Sequence, residues 1–540
     1  MPTHSVINTV DALQDYSLFD GDPVLKEGIT RLGAEGHRAA LEGLGTELGR
    51  EEVISWGATS NQYPPVLRTH DRQGRRLDSV DYHPSYHGLM ELSVRYGLHS
   101  LPWEANAAAG GHVARSSLFY MAAQNELGHG CPISMTFSVV PVLRRQPELA
   151  REWLPKISRS YDPRLLPSQE KKGVIFGMAM TEKQGGSDVR ANTTVARPVA
   201  GGGGGQEYRL TGHKFFCSAP MSDAFCVLAQ APGGLSCFLV PRFRPDGSKN
   251  NLYFQRLKDK LGNRSNASSE VEYDDSSGWL IGEEGRGVPV IIDMVNHTRL
   301  DCCIGASGIM RAALVQAHHH ATRRSAFGKT LIDQPLMRNV LADLTLEWEA
   351  SLQLVLRLAE AFDRQEDAQA LAFRRIATPV AKYWLCKRVV SHTVEALECL
   401  GGSGYVEESP LPRLFRESPL YSIWEGSGNV IGLDVLRALS RNPESLTALL
   451  AELEGSGDPR IERGLTELKE QLRQPTEADA RRLVESFALL LQGSLMRRFS
   501  PEPVAEAWLR SRLGGEGGRL FGTLPRDVDS AAILARTWSA

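Results

Sequence analysis

Apolar positions along the 540-residue chain change their period twice. Up to about residue 175 the pattern is mainly helical: in SSLFYMAAQNELGHG, Leu118, Met121, Ala122 and Leu127 recur at helical intervals and the run closes on glycine. The opening sixty residues are less regular and read as an arm. Near residue 174 the period shortens. GVIFGMAM, EYRLTGHKFFCSA, AFCVLAQA and LSCFLVPR are short runs rich in Val, Ile, Phe, Tyr and Cys, punctuated closely by Gly, Pro and Asp, which predicts an all-β unit. The five glycines at 201–205 fall between two of these runs and predict a hairpin tip.

From about residue 288 the helical period returns. Leu336, Val340, Leu344, Trp348, Leu352 and Leu356 recur every four residues and form one long amphipathic face. KYWLCKRVVSHTVEALECL and VIGLDVLRALS continue the pattern. After about residue 440 comes a last helical segment rich in Arg, Glu and Leu, with loop signals at GSGDPR and GGEGG. Four domains are therefore expected: an N-terminal α-helical domain at 1–175, a central β domain at 176–288, a helical bundle at 289–439 and a C-terminal helical extension at 440–540. The strands are grouped rather than alternating with helices, so the class is α+β and not a doubly wound parallel sheet.

Composition adds limits. With 42% hydrophobic and 23% charged residues the chain can bury a large core, and neither disorder nor a fibre is indicated. The net charge of -3 leaves no overall basic surface, so any nucleic-acid contact must be local. Residues 440–540 carry 14 basic against 15 acidic residues, with arginine clusters at Arg481/Arg482, Arg497/Arg498 and Arg510/Arg512. Arginines paired with local acids explain those clusters as easily as a nucleic-acid surface does. The eight scattered cysteines read as reduced buried thiols. MPTHSVINTVDALQDYS lacks the layout of a signal peptide, and no apolar run approaches the roughly 18–20 residues of a spanning helix. The expected location is the cytoplasm, with no membrane partner.

Three patterns suggest chemistry and fail on context. AFGKT resembles the end of a phosphate-binding loop, but Arg323 stands where its first glycine belongs. GGSGY at 401–405 follows a helix, whereas a dinucleotide fingerprint links a strand to one. His318, His319 and His320 have no carboxylate or cysteine at ligand spacing; a solvated helix face is expected, and no metal site.

GMAMTEKQGGSDV (177–189) leaves a strand, exposes Thr181 and Glu182, and turns through Gly185 and Gly186 to Ser187 and Asp188. Hydroxyls and free N–H groups beside a glycine turn suit a polar ring edge or a phosphate. The segment resembles the T-E-P-x-x-G-S-D signature of the acyl-CoA dehydrogenase family, in which this loop lies along the FAD isoalloxazine. The resemblance implies FAD contacts from Met178, Met180, Thr181, Gly186 and Ser187. GHKFFCSA is similar to the family's G-x-K-x-W-I-[TS]-N strand and puts Phe216, Cys217 and Ser218 behind the ring, with Phe216 in place of the usual Trp. RRSAFGKTLIDQP resembles the R-x-x-F-G segment. In the family's tetramer, Arg324 would reach the FAD pyrophosphate of a neighbouring subunit, with Phe327 and Gln334 nearby. ECLGGSGYVEE resembles the segment whose glycines, here Gly401 and Gly402, let the FAD adenosine approach the backbone.

IWEGSGN (423–429) is similar to the family's Y-E-G-T-x-x-Q segment. Glu425 falls on the catalytic base, and Ile423, Trp424, Gly426, Ser427 and Asn429 fall on flavin-side positions. Removing an α-proton from an acyl thioester suits a carboxylate in apolar surroundings, whose pKa rises from about 4.3 toward neutrality. Arg437, on the next helix, reads either as a charged wall of the substrate cleft or as a helix-surface arginine. TEKQGGSD, SIWEGSGN and LKDKLGNRSNAS resemble the AidB-like branch of the family, linked to the adaptive response to DNA alkylation. That branch implies an N-terminal helical domain, a β-barrel or sandwich, a helical bundle and a further C-terminal helical domain. It also implies a FAD-binding homotetramer, weak isovaleryl-CoA-like dehydrogenase activity and double-stranded DNA binding through the C-terminal domain. An ordinary metabolic acyl-CoA dehydrogenase and a non-catalytic, DNA-protecting flavoprotein remain the alternatives.

Overall fold

The computed structural model describes residues 3–539. Its residues group into two compact units. One holds the chain up to Ile54, Ala108–Asn125 and the chain from Arg299 onward; the other holds Ser55–Ala107 and Glu126–Thr298.

The second unit carries the strands. Two of them, β1 (Val66–His70) and β2 (Arg76–Asp81), form an antiparallel hairpin that the helical reading of 1–175 missed. Its residues VLRTHDRQGRRLDSVD offer too few apolar positions for a period of two to show. The rest lie where a β unit was expected: β3 (Phe176–Ala179), β4 (Val195–Pro198), β5 (Glu207–Ser218), β6 (Ala224–Ala231), β7 (Gly234–Pro241), β8 (Leu252–Leu257) and β9 (Ser268–Ile281). β6 pairs with β7, β7 with β9, β9 with β5 and β5 with β4, and β4 meets β6 again at Val195↔Gln230. The sheet therefore closes on itself, and β3 and β8 add to β6 and β9. Tyr208, Leu210, Phe225, Val227, Phe238, Val240, Phe254, Val271 and Leu280 fill its interior. The glycines at 201–205 lie between the antiparallel strands β4 and β5, as expected of a hairpin tip.

The first unit is built on long helices. Pro335–Asp363 buries Leu344, Trp348, Leu352 and Leu356 as their spacing predicts, but Leu336, at its first turn, is exposed. Beside it runs Ala368–Glu398, and the Pro443–Leu453 and Ala480–Phe499 helices pack on that second long helix. The residues after 440 do not stand apart, for a physical reason. A helix such as Pro459–Gln471 buries only Ile461, Leu465 and Leu468, a stripe too narrow to make a core of its own.

Gly287–Ala321 corrects a second expectation. It is long and apolar enough to cross a membrane, yet 94% of its most apolar window is buried inside the protein. Near its end His318, His319 and His320 are half-buried rather than solvated, and His319 Nε2 meets the Asp11 carbonyl at 2.8 Å.

Candidate functional site

In the second unit, the segment leaving β3 is tied to a bulge in β5. The register of β5 on β9 shifts between Lys214 and Cys217, so two residues, Phe215 and Phe216, fit between inward-facing neighbours. Phe216 is thereby 44% exposed, while Cys217 points into the barrel. Burial pushes the Cys217 thiol up to about 12, so it stays protonated and offers a cofactor only its backbone. The Phe215 N–H donates to the Thr181 carbonyl at 2.8 Å, which brings Thr181 beside Phe216. The Met180 carbonyl accepts from Asn192 Nδ2 at 2.9 Å and Lys214 Nζ at 3.3 Å. A Cβ at Gly186 would come within 3.1 Å of Thr181 Cγ2, so glycine lets the turn close on the threonine. Met178 is half-buried at β3, Ser187 is exposed in the turn, and Ser218 ends β5 half-buried.

Glu182, expected to be exposed in this turn, is buried. Its carboxylate accepts from Lys214 Nζ at 2.8 Å, Thr194 Oγ1 at 2.6 Å and the backbone N–H groups of Thr193 at 2.7 Å and Thr194 at 3.1 Å. Burial alone would raise the carboxyl, but Lys214 and these donors hold it well below the usual carboxylate range. Glu182 thus anchors the turn, and the residues left free to meet a ring edge are Thr181 and Ser187.

In the first unit, β10 (Ser325–Ala326) and β11 (Lys329–Thr330) form a hairpin whose two turn residues, Phe327 (φ +52°) and Gly328 (φ +77°), are both left-handed. Phe327 is 99% exposed. Gln334 Nε2 donates to the Ala326 carbonyl at 3.1 Å. Arg324 meets the Asn8 carbonyl and makes no ion pair among the described residues, which leaves guanidinium N–H groups available to phosphate oxygens. Arg324, Phe327 and Gln334 therefore share one projection. Gly401 (φ +59°) and Gly402 are exposed, with open space where side chains would stand.

The turn holding Glu425 lies between the Ser418–Ser422 turn and the Gly428–Arg441 helix. Glu425 is left-handed at φ +57°, and Gly426 follows at φ +106°. For a residue with a Cβ that conformation costs roughly 1–2 kcal/mol. Two cations hold it. Arg299 Nε donates to the Glu425 carbonyl at 3.0 Å, and Lys382 Nζ donates to the Gly426 carbonyl at 2.5 Å. Hydrogen bonds from charged donors contribute roughly 1.5–3 kcal/mol each, enough to offset the strain. Beside the turn, Trp424 packs edge-on against Tyr421 at 5.5 Å, and its buried Nε1 has no hydrogen-bond partner among the described residues. An unpartnered buried donor is expensive, so a bound acceptor at this point would be stabilised. Ile423 is exposed, and Ser427 starts the next helix without a side-chain cap bond. Asn429 accepts from Arg481 at 2.9 Å through Oδ1.

Arg437 is half-exposed and reaches Asp434 Oδ1 at 3.6 Å. Asp434 also receives Arg299 at 2.6 Å and Arg375 at 3.1 Å. Burial would raise its carboxyl, but Arg299 and Arg375 keep it below the usual range. Arg437 is thus linked to the Glu425 turn through one carboxylate and Arg299. Sequence reasoning passed over Arg299, Lys382, Asp434 and Lys214. Arg299, Lys382 and Asp434 lie inside helices with no local motif, and Lys214 is the lysine of the G-x-K-x-W-like strand; only the partner across the fold marks the role of each.

The arginine clusters after residue 440 are largely neutralised. Arg482, Arg497, Arg498, Arg510 and Arg512 pair with Asp479, Glu502, Glu452, Glu516 and Asp343 respectively.

Three family matches follow one another along the chain: the adaptive response protein AidB N-terminal domain over residues 8–163, the acyl-CoA dehydrogenase middle domain over 177–276, and the acyl-CoA dehydrogenase C-terminal domain over 285–440. The chain is 46% identical over 532 residues to the putative acyl-CoA dehydrogenase AidB of Escherichia coli (strain K12), covering 97% of each. It is similar to the crystal structure of Caenorhabditis elegans ACDH-11 in complex with C11-CoA, with a TM-score of 0.86 at 25% identity over 99% of this chain and 98% of that one. An acyl-CoA dehydrogenase complexed with FAD from Bacillus anthracis shares the fold, with a TM-score of 0.62 at 19% identity over 80% and 78% of the two chains.

Proposed function

From the premise that this chain belongs to the acyl-CoA dehydrogenase family, in its AidB-like branch, we propose that it is a FAD-dependent oxidoreductase that desaturates an acyl-CoA, with Glu425 as the base. The observation that carries the proposal is the Glu425 turn. A strained left-handed glutamate is held by two cations beside an indole whose N–H lacks a partner among the described residues. Strain of this kind persists only where the surroundings over-determine it, and it concentrates at active sites.

The residues present fit FAD. Thr181, Ser187 and the exposed face of Phe216 offer polar edges and a flat surface for the ring. Met178, Met180, Gly186, Cys217 and Ser218 shape the backbone around them, and Gly401 and Gly402 leave backbone open to the adenosine. Arg324, Phe327 and Gln334, on their exposed hairpin, serve the FAD of a neighbouring subunit, so the working assembly is a homotetramer. Bound FAD would supply the acceptor for the two electrons and the hydrogen leaving the β-carbon. Glu425 takes the α-proton of the thioester onto its carboxylate. Arg299 keeps the turn from relaxing. The acyl-CoA class is supported by the ACDH-11 complex with C11-CoA.

Anaerobic mixing of the purified flavoprotein with butyryl-, isovaleryl- and undecanoyl-CoA tests the proposal. At least one thioester should bleach the flavin within seconds; absence of bleaching with all of them over an hour would remove acyl-CoA desaturation and leave the non-catalytic alternative.

The cellular setting we propose is the cytoplasmic response to DNA alkylation, supported by the match of residues 8–163 to the AidB N-terminal domain. Duplex DNA is part of that proposal only as a weakly held partner. Arg441, Arg519 and Arg526 are the basic residues after 440 that engage no carboxylate, amide or carbonyl among the described residues. Three phosphate contacts give a slope of log K against log salt of about -3. A slope steeper than about -6 would show that the ion pairs open on DNA.

A further inference from the structure

We propose that Lys382 is the positioning residue for Glu425, locking the glycine pivot that follows the base; the inference rests on Glu425 being the base. Lys382 is 1% exposed, within the Ala368–Glu398 helix, and no carboxylate among the described residues lies within ion-pair distance of it. Lys387 feels its charge, and Glu425 acts on the same Cys302 thiol that Lys382 does. Cys302, Cys303 and Cys386 are near enough to feel the ammonium, yet burial keeps all three thiols protonated, with Cys386 pushed up to about 11. The partner of Lys382 in the structure is the Gly426 carbonyl at 2.5 Å.

A buried ammonium with no carboxylate in direct contact costs several kcal/mol, and methionine would fill the same space without that cost. A lysine here is therefore a poor choice for stability. What it supplies is control of one peptide plane. Arg299 fixes the carbonyl of the Glu425–Gly426 peptide, and Lys382 fixes the carbonyl of the next. Between two planar peptide units the only soft dihedrals are the φ and ψ of Gly426, the least restricted residue type. With both planes held, Gly426 stays at φ +106° and the backbone that carries the Glu425 side chain is fixed on its C-terminal side. With Lys382 removed, Arg299 alone leaves Gly426 free to turn, and the turn can relax from its left-handed strain.

The test compares the FAD-loaded wild type with Lys382→Met and Lys382→Arg, using two readouts. The first does not depend on turnover: amide hydrogen exchange in 420–430 should quicken at least ~10-fold in Lys382→Met, with the barrel strands unchanged, and return close to wild type in Lys382→Arg. The second is flavin reduction by the best thioester. A base displaced by about 1 Å loses roughly 100-fold in rate, so kcat should fall by about that factor with KM within ~3-fold, and Lys382→Arg should recover most of it. Unchanged exchange in 420–430, or a kcat within ~3-fold of wild type, would overturn the proposal. Should Lys382→Met not fold, Lys382→Gln is judged on the same two readouts. If wild type itself is not reduced by any thioester, the assignment of Glu425 fails, while the exchange measurement still decides whether Lys382 holds the turn.

Discussion

Glu425→Gln should leave FAD bound and slow its reduction by an acyl-CoA by about 1,000-fold, within the 10²–10⁴ range of a positioned general base. The two side chains are nearly isosteric, and the carbonyl that receives Arg299 belongs to the backbone, so the turn keeps its shape. Only the proton acceptor is lost. Thioester binding, read from the perturbation of the flavin spectrum, should change less than about 5-fold, which places the defect in the chemical step. The metabolic and alkylation-response readings both require this outcome. A variant that reduces flavin as fast as wild type would show that the residue at the base position does not act as one, and the non-catalytic reading would then stand. Residual activity would be informative in its own right, because it would report what the clamped turn and its surroundings contribute without a base.

The largest effect on stability is expected at Glu182. Lys214 is fully buried, and Glu182 is the carboxylate within reach of it. Glu182→Gln leaves that ammonium unpaired, at a cost of about 3–5 kcal/mol. Burial draws the Lys214 ammonium down to about 8 even with Glu182 beside it; without that carboxylate the ammonium is drawn lower still, so release of its proton sets the upper limit of the cost. Because Glu182 also receives the backbone of Thr193 and Thr194, the turn carrying Thr181 and Ser187 should loosen, and purified variant should hold less flavin. The double variant Glu182→Gln/Lys214→Met should recover much of the loss, since no buried charge then lacks a partner. The pH dependence has a definite sign. The folded-state pKa of Glu182 lies below its unfolded value, so its contribution is complete above about pH 4.5 and is lost as pH falls further. Urea unfolding at pH 7 and pH 4 checks both points. A wild-type midpoint unchanged between those values, together with a Glu182→Gln cost below about 1 kcal/mol, would show the pair to be exposed in solution.

Much of this architecture was legible beforehand because it rests on periodicity. The switch from helical to alternating apolar positions near residue 174 marks β3, and the return near 288 marks the long helices. The hairpin β1–β2 was illegible because its strands are largely polar on both faces. The two-unit grouping was illegible because Ala108–Asn125 joins the C-terminal helices by packing, which no local signal records. At the site, glycines and family-like motifs pointed to Thr181, Phe216, Arg324, Gly401 and Glu425. Glu182 was misread for a related reason: a glutamate beside two glycines looks exposed until its lysine arrives from β5, 32 residues away.

The amino-acid sequence alone determined the element types, the class of chemistry and the place of Glu425 in the chain. Hydrophobic period and short motifs are local properties, and local properties survive without coordinates. Tertiary structure decided the state of that glutamate. The bulge that turns Phe216 outward, the cations Arg299 and Lys382 that seize successive carbonyls, and Asp434, which ties Arg299 to Arg437, all arise from residues far apart in the chain. A left-handed glutamate is uphill by itself, so nothing in its own neighbourhood could have announced it. It exists because distant charges, buried by the packing of three helices, make any other geometry costlier.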